Sequence, residues 1–305
     1  MKTIQKAEAW YNSTLLPALN EEFKNELPQM AIGIAGRGSE CFGFDDEISL
    51  DHDAVPGVTI WLTPQGDERF GFRLTRFYDA LVKSSFSGQD GSKSSTLGDS
   101  ERGVVIIDDF LRRHLGYASL PRSWQDWLYT PEYAFAECVN GRIFRDDSKV
   151  FSSIRESLRH GMPEDVRLKK IAAKAVMMAQ SGQYNYSRCL AHNEPGAAAI
   201  ALSDFVRHTV SMVFLLNFSF APYYKWMFRA MRELAVLGEI ADSLEELFRL
   251  ADPRKAIEDI CRKITAELAN QGLSDIDDPY LEAHAFAVTS KIRSQEIRAL
   301  HIMEG

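Results

Sequence analysis

One stretch constrains the fold more than any other: Ala31 to Thr63, AIGIAGRGSECFGFDDEISLDHDAVPGVTIWLT. Met30 to Ile34 is a short apolar run and reads as a first buried strand. Gly38-Ser39 then turns the chain, a polar loop follows, and a second strand opens with Asp51-His52-Asp53 and continues from Gly57 to Leu62. Eleven residues, Glu40 to Leu50, separate Ser39 from Asp51. Side chains alternate along an extended strand, so Asp51 and Asp53 share one face and His52 points to the other, as a packed residue rather than a ligand. Two adjacent carboxylates repel each other. A divalent cation relieves that repulsion, and hard oxygen donors suit magnesium. Gly38 permits close backbone approach, and Ser39 adds a hydroxyl and an N–H. Facing the two acids, this turn would hold a triphosphate between amides and metal.

Gly38-Ser39 followed at this spacing by Asp51-x-Asp53 resembles the signature of the nucleotidyltransferase superfamily, which includes polymerase beta-like and aminoglycoside-modifying enzymes. The run Ser39 to Ser49 with Asp51-His52-Asp53 is similar to a bacterial family of nucleotidyltransferase-like proteins with a fused helical domain. Gln183-Tyr184-Asn185, Leu215-Leu216-Asn217 and Pro222-Tyr223-Tyr224-Lys225-Trp226 agree with that likeness. The resemblance implies transfer of NMP from an NTP, with ATP the expected nucleotide, to a hydroxyl or amine acceptor. Asp51 and Asp53 would hold Mg2+, and a two-metal site is compatible with the pattern. Gly38, Ser39 and Arg37 would contact the nucleotide, and Lys225 the triphosphate.

In that superfamily a third carboxylate usually stands on a later strand. The matching strand, Gly103-Val104-Val105-Ile106-Ile107, contains none, and Gly103 occupies the place where the acid is expected. Glu101 at the strand edge is the candidate substitute, and Asp108-Asp109 read as the acidic start of the following helix. The alternative is a catalytically impaired nucleotide-binding module, or a toxin–antitoxin-like interaction protein. Asp45, Asp46 and Glu47 read as a solvated loop or a helix cap, or as a cluster that positions Arg37 or a substrate amine.

The rest of the chain divides in two. Up to residue 150 helical and strand patterns alternate, with helices over 7–25, 70–83, 108–114 and 123–139. The strand at Val104 to Ile107 reads as buried. Ser84 to Ser100, SSFSGQDGSKSSTLGDS, has the composition of a mobile loop or a lid. From Phe151 onward the pattern is helical: 151–160, 163–181, 197–218, 222–237, 240–250, 254–271 and 278–300. The expected architecture is an α/β (α+β) nucleotidyltransferase-like domain with a small mixed sheet at 1–150, then an all-α helical bundle at 151–305. The cleft between them is expected to hold nucleotide. Tyr184 and Asn185 at a helix opening, and Lys225 and Arg229 four residues apart beside Trp226, are candidate nucleotide contacts.

Composition sets outer limits. Hydrophobic residues make up 45% and charged residues 26%, as in soluble globular proteins. A net charge of −8 argues against an extended nucleic-acid surface, but not against a nucleotide. Cys41, Cys138, Cys189 and Cys261 form no CxxC pair and read as reduced thiols of a cytoplasmic protein. MKTIQKAEAW lacks the apolar core of a signal peptide, and the apolar run Val210 to Pro222 reads as a buried helix rather than a membrane span.

Overall fold

A computed structural model of the chain describes residues 2–46, 57–86 and 102–305. It is a mixed α/β structure whose described residues form one four-stranded mixed sheet and many helices. By internal contacts the chain separates into two compact units, residues 1–122 with 134–161, and residues 123–133 with 162–305.

The first unit begins with α1 (Thr3–Trp10) and α2 (Leu16–Glu22), joined through a π-helical turn at Tyr11–Leu15 that keeps Pro17 in the first turn of α2. The strands are β1 (Ala31–Ile34), β2 (Thr59–Leu62), β3 (Gly103–Ile106) and β4 (Arg142–Asp146). Their order is β3-β2-β1-β4, so β1 and β2 are central and every residue in them is buried. After β2 come the single turn α3 (Pro64–Gly66) and α4 (Phe72–Ser85), and after β3 comes α5 (Ile107–Leu115). Ile32, Ile34, Ile60 and Leu62 pack against Trp10, Leu15, Leu19, Phe23 and Leu74 in one core. Tyr78 fastens α4 to the entry of β2: its hydroxyl donates to Val58 O at 2.8 Å and accepts from Val58 N at 3.1 Å. Burial of that hydroxyl pushes its pKa up to about 12.

Two expectations are corrected here. The strand expected to be buried at Val104 to Ile107 is a half-buried edge strand, because among the described residues it pairs only with β2, and Ile107 already belongs to α5. The helix expected over 123–139 is two helices, α6 (Trp124–Tyr129) and α7 (Glu132–Val139), interrupted at Thr130-Pro131. Proline disfavours helical geometry in the residue before it, and Thr130 is extended (ψ 128). α8 (Val150–His160) closes the first unit.

Among its described residues the second unit has helices and turns. α9 (Glu164–Met178) runs into a π-helical turn, Ala179–Asn185, and then α10 (Tyr186–Ala191). α11 (Pro195–Leu216), α12 (Met227–Met231), α13 (Ile240–Glu246), α14 (Arg254–Asn270), α15 (Leu281–Ser290) and α16 (Gln295–Arg298) follow. α11 is long and apolar enough to cross a membrane, but 61% of its most apolar window is buried inside the protein. Gly182 lets the π turn meet α11, since a Cβ there would collide with the Phe205 ring. The helix expected over 222–237 is reduced to α12. Asn217 takes both backbone groups of Val236, donating to its O at 2.8 Å and accepting from its N at 3.0 Å, which removes them from a helical ladder. The helix expected over 278–300 is likewise split into α15 and α16.

Candidate functional site

The sheet registers bring four chain segments to one end. Gly33, near the exit of β1, lies opposite Thr59, the first residue of antiparallel β2. Thr59 is level with Gly103, the first residue of parallel β3. Ile34 is level with Arg142, the first residue of β4. The connection carrying Gly38 and Ser39 therefore leaves, and β2, β3 and β4 start, at a single edge of the first unit.

The path of residues 35–38 is fixed from β4's side. Asn140 grips the backbone of Gly36 twice: its Oδ1 accepts from Gly36 N at 2.9 Å and its Nδ2 donates to Gly36 O at 2.7 Å. Gly36 has φ 127, a conformation that side-chain-bearing residues rarely adopt. Asn140 is held in turn by Arg155, whose guanidinium donates to Cys138 O at 3.2 Å, to Val139 O at 2.9 Å and to Asn140 O. Arg159 also reaches Val139 O, at 2.6 Å. These cations satisfy carbonyls at the C-terminal end of α7, where positive charge is favoured. Arg155 is 4% exposed, and burial lowers its pKa to about 10.

Gly38 then starts a 3₁₀ turn, Ser39–Phe42, which Gly43 closes in the left-handed region (φ 70). Ser39 and Glu40 are both buried. The side-chain space that Gly38 leaves is filled by the Glu40 carboxylate, which a Cβ at Gly38 would strike. Glu40 Oε1 is 2.5 Å from Arg102 Nη2, so the residue just before β3 is tied to the turn just after β1. Arg37 donates through Nε to Glu137 Oε2 at 3.3 Å and through Nη2 to Arg113 O at 3.0 Å. Glu137 is buried on α7, and His114 Nδ1 of α5 lies 2.9 Å from the same carboxylate oxygen. Asp45 does not position Arg37: its Oδ2 accepts from Thr3 N at 2.6 Å and caps α1.

Asp51 and Asp53, with His52, Glu47 and Glu101, lie outside the described residues, as do residues 87–100 of the candidate lid. Among the described residues no group of three or more His, Cys, Asp or Glu side chains is assembled to hold a metal. β3 carries no acid, and Gly103 has φ 111, which disfavours any carboxylate-bearing residue at that position.

The remaining candidates belong to the second unit. Tyr184 and Asn185 are exposed in the π turn after α9, with Arg188 over the Tyr184 ring at 5.0 Å. Gln183 beside them is structural: it donates to Glu258 at 2.8 Å and accepts from Leu281 N at 3.0 Å, at the start of α15. Lys225 precedes α12 and Arg229 lies on it, and they approach the Trp226 ring at 5.5 and 5.9 Å. Tyr133, which periodicity alone does not single out, stands against Tyr223 at 6.0 Å, and Tyr223 against Tyr224 at 4.4 Å.

Residues 127–227 match the model of a family described as a domain of unknown function (DUF4037), which is less than half of the chain. No curated protein matches. A nucleotidyltransferase-like protein from Exiguobacterium sibiricum is a structural neighbour with 11% identity and a TM-score of 0.36. The alignment covers 92% of this chain and 81% of that one.

Proposed function

We propose that the chain is a magnesium-dependent nucleotidyltransferase that moves NMP from an NTP, with ATP the expected donor, to a hydroxyl or amine acceptor. In this reading residues 1–150 are a nucleotidyltransferase-like domain and residues 151–305 a helical bundle that selects the acceptor. The observation that carries the reading is the Arg102–Glu40 ion pair at the end of the sheet where β1 leaves and β2 and β3 begin. It ties the Gly38-Ser39 turn to the entry of β3, in a chain whose sequence puts Asp51 and Asp53 upstream of β2 and Glu101 upstream of β3.

Each group has a defined task in the proposal. The Gly38-Ser39 turn, on the path set by Asn140, offers backbone N–H groups and the Ser39 hydroxyl to phosphate oxygens. Arg37 supplies positive charge beside that turn, and its anchorage on Glu137 and Arg113 O restricts its motion. Lys225, Arg229, Tyr184 and Asn185 are assigned further nucleotide contacts, with Trp226 orienting the two cations. The carboxylate pair Asp51 and Asp53 suits a hard divalent cation, which when bound would neutralise the triphosphate and the leaving pyrophosphate. Glu101 is the proposed third acid.

A second reading, nucleotide binding without turnover, is favoured by one observation: the backbone at Gly103 disfavours an acid at that position of β3. A third reading, a toxin–antitoxin-like interaction protein, expects one stoichiometric protein partner and no bound nucleotide. The experiment is incubation with radiolabelled NTPs, magnesium and cell extract. Label on an acceptor with release of pyrophosphate supports the enzyme. Tight NTP binding without pyrophosphate release from any acceptor pool supports the binding module, and no NTP binding at all defeats both.

A further inference from the structure

One carboxylate oxygen joins three segments of the first unit. Glu137 Oε2, on α7, takes Arg37 Nε at 3.3 Å and His114 Nδ1 at 2.9 Å. The Glu137 side chain is 6% exposed and that of His114 0%, whereas that of Arg37 is 56% exposed. Two buried groups therefore stand behind one exposed cation. α5 holds that cation a second time, because Arg113 O accepts from Arg37 Nη2 at 3.0 Å. Arg113 and His114 are consecutive in the last turn of α5, where carbonyls lack helical partners and positive charge is favoured.

The imidazole is itself fixed. Phe110, one turn earlier on α5, lies against its ring with centroids 4.6 Å apart, and Phe110 meets Trp61 of the central strand β2 at 5.7 Å. An ionised carboxylate only accepts, so the His114 proton at Nδ1 points to Glu137. A glutamate held by an exposed arginine alone keeps several rotamers, and ordering them costs free energy. The second bond, from a ring that cannot move, selects one rotamer. The position of the Arg37 guanidinium thus depends on a side chain that never reaches the surface.

We propose that His114 is a positioning residue for Arg37: it fixes the Glu137 carboxylate from the buried side and so sets where the guanidinium stands next to the Gly38-Ser39 turn. The proposal rests on the reading of that turn as the NTP site. His114 touches no nucleotide in it. Its effect is to lower the ordering cost that Arg37 would otherwise meet on engaging a phosphate.

The test is a double-mutant cycle on the full chain: His114→Leu, Arg37→Met and the two combined, titrated with ATP and magnesium by calorimetry, with thermal melts alongside. His114→Leu is expected to weaken ATP binding roughly fivefold when Arg37 is present. In the Arg37→Met background it should leave affinity where Arg37→Met alone puts it. His114→Asn, whose amide N–H stands near the place of Nδ1, should restore most of the affinity although it packs less well against Phe110. If His114→Leu does not fold, Glu137→Gln takes its place in the cycle with the same expectation. Equal losses of affinity in both backgrounds would mean a packing role and overturn the proposal. So would an Arg37→Met variant, or a folded His114→Leu variant, that binds ATP as the parent does. A parent chain that binds no ATP defeats the NTP-site reading and this proposal together, whereas a parent that binds while His114→Leu matches it defeats this proposal alone.

Discussion

Arg102 Nη2 meets Glu40 Oε1 at 2.5 Å, with side chains only 18% and 10% exposed. Removing one partner of such a pair strands the other charge away from water. Arg102→Met is expected to lower stability by about 3 kcal/mol in urea unfolding. Arg102→Met with Glu40→Gln should recover most of that loss, because the stranded carboxylate is then gone. Equal losses in the single and double variants would show that the pair contributes packing and no electrostatic constraint.

Asp51→Asn with Asp53→Asn is expected to abolish magnesium-dependent NTP binding while the melting temperature stays within a few degrees of the parent. Calorimetry with magnesium and ATP reads the first, and a thermal melt the second. NTP affinity equal to the parent's would remove these aspartates from the site.

Asn140→Ala removes both hydrogen bonds to Gly36 and leaves a half-buried backbone N–H and C=O without them. The expected cost is about 2 kcal/mol of stability. NTP affinity should fall as well, since the turn at Gly38 and Ser39 loses its fixed approach. A variant that loses stability but keeps nucleotide affinity would reduce Asn140 to a structural clamp.

Burial lowers the pKa of His208 from 6.5 to about 4, with Lys174 and Arg207 acting in the same direction and Asp204 against them. Above pH 6.5 the imidazole is neutral in folded and unfolded chains alike. As pH falls toward 4 the unfolded chain takes up a proton that the folded protein refuses. Stability is expected to drop across that window by up to about 3 kcal/mol, at 1.36 kcal/mol per pKa unit. His208→Gln should flatten that part of the urea-midpoint profile against pH.

Gly182→Ala places a methyl group against the Phe205 ring where the π turn meets α11. Overpacking of this kind costs about 1–3 kcal/mol. Phe205→Leu in the same background should relieve part of it, which thermal melts of the single and double variants would reveal.

The sequence made β1 and β2 legible because each is a short apolar run flanked by glycine or proline, and both turned out central in the sheet. Most long helices were legible from their apolar spacing, including α9, α11 and α14. What escaped the pattern depends on contacts between distant residues. The interruption after α12 follows from Asn217 capturing Val236, nineteen positions away. Asn140-Gly141 looks like an ordinary turn in one dimension, yet Asn140 reaches Gly36 across a separation of 104 residues. Glu40 reads as a loop acid, and its role follows from Arg102, sixty-two positions later. The glycine at position 103 reads in the sequence as a missing acid. That its backbone angle disfavours one could not be read from the letters alone.

Residues 123–133 belong to the second unit although the chain returns to the first for 134–161. Trp127 and Leu128 are buried there, Leu128 O receives Lys170, and Glu132 receives the Ser211 hydroxyl. During synthesis α6 therefore emerges from the ribosome well before α9, which packs against it, and the later helices of its unit. Until they arrive, its indole and leucine face water, an opening for chaperones or for adhesion between nascent chains. A fragment ending at residue 150 would hold that exposure permanently, so expression of the first 150 residues alone should yield a sticky polypeptide.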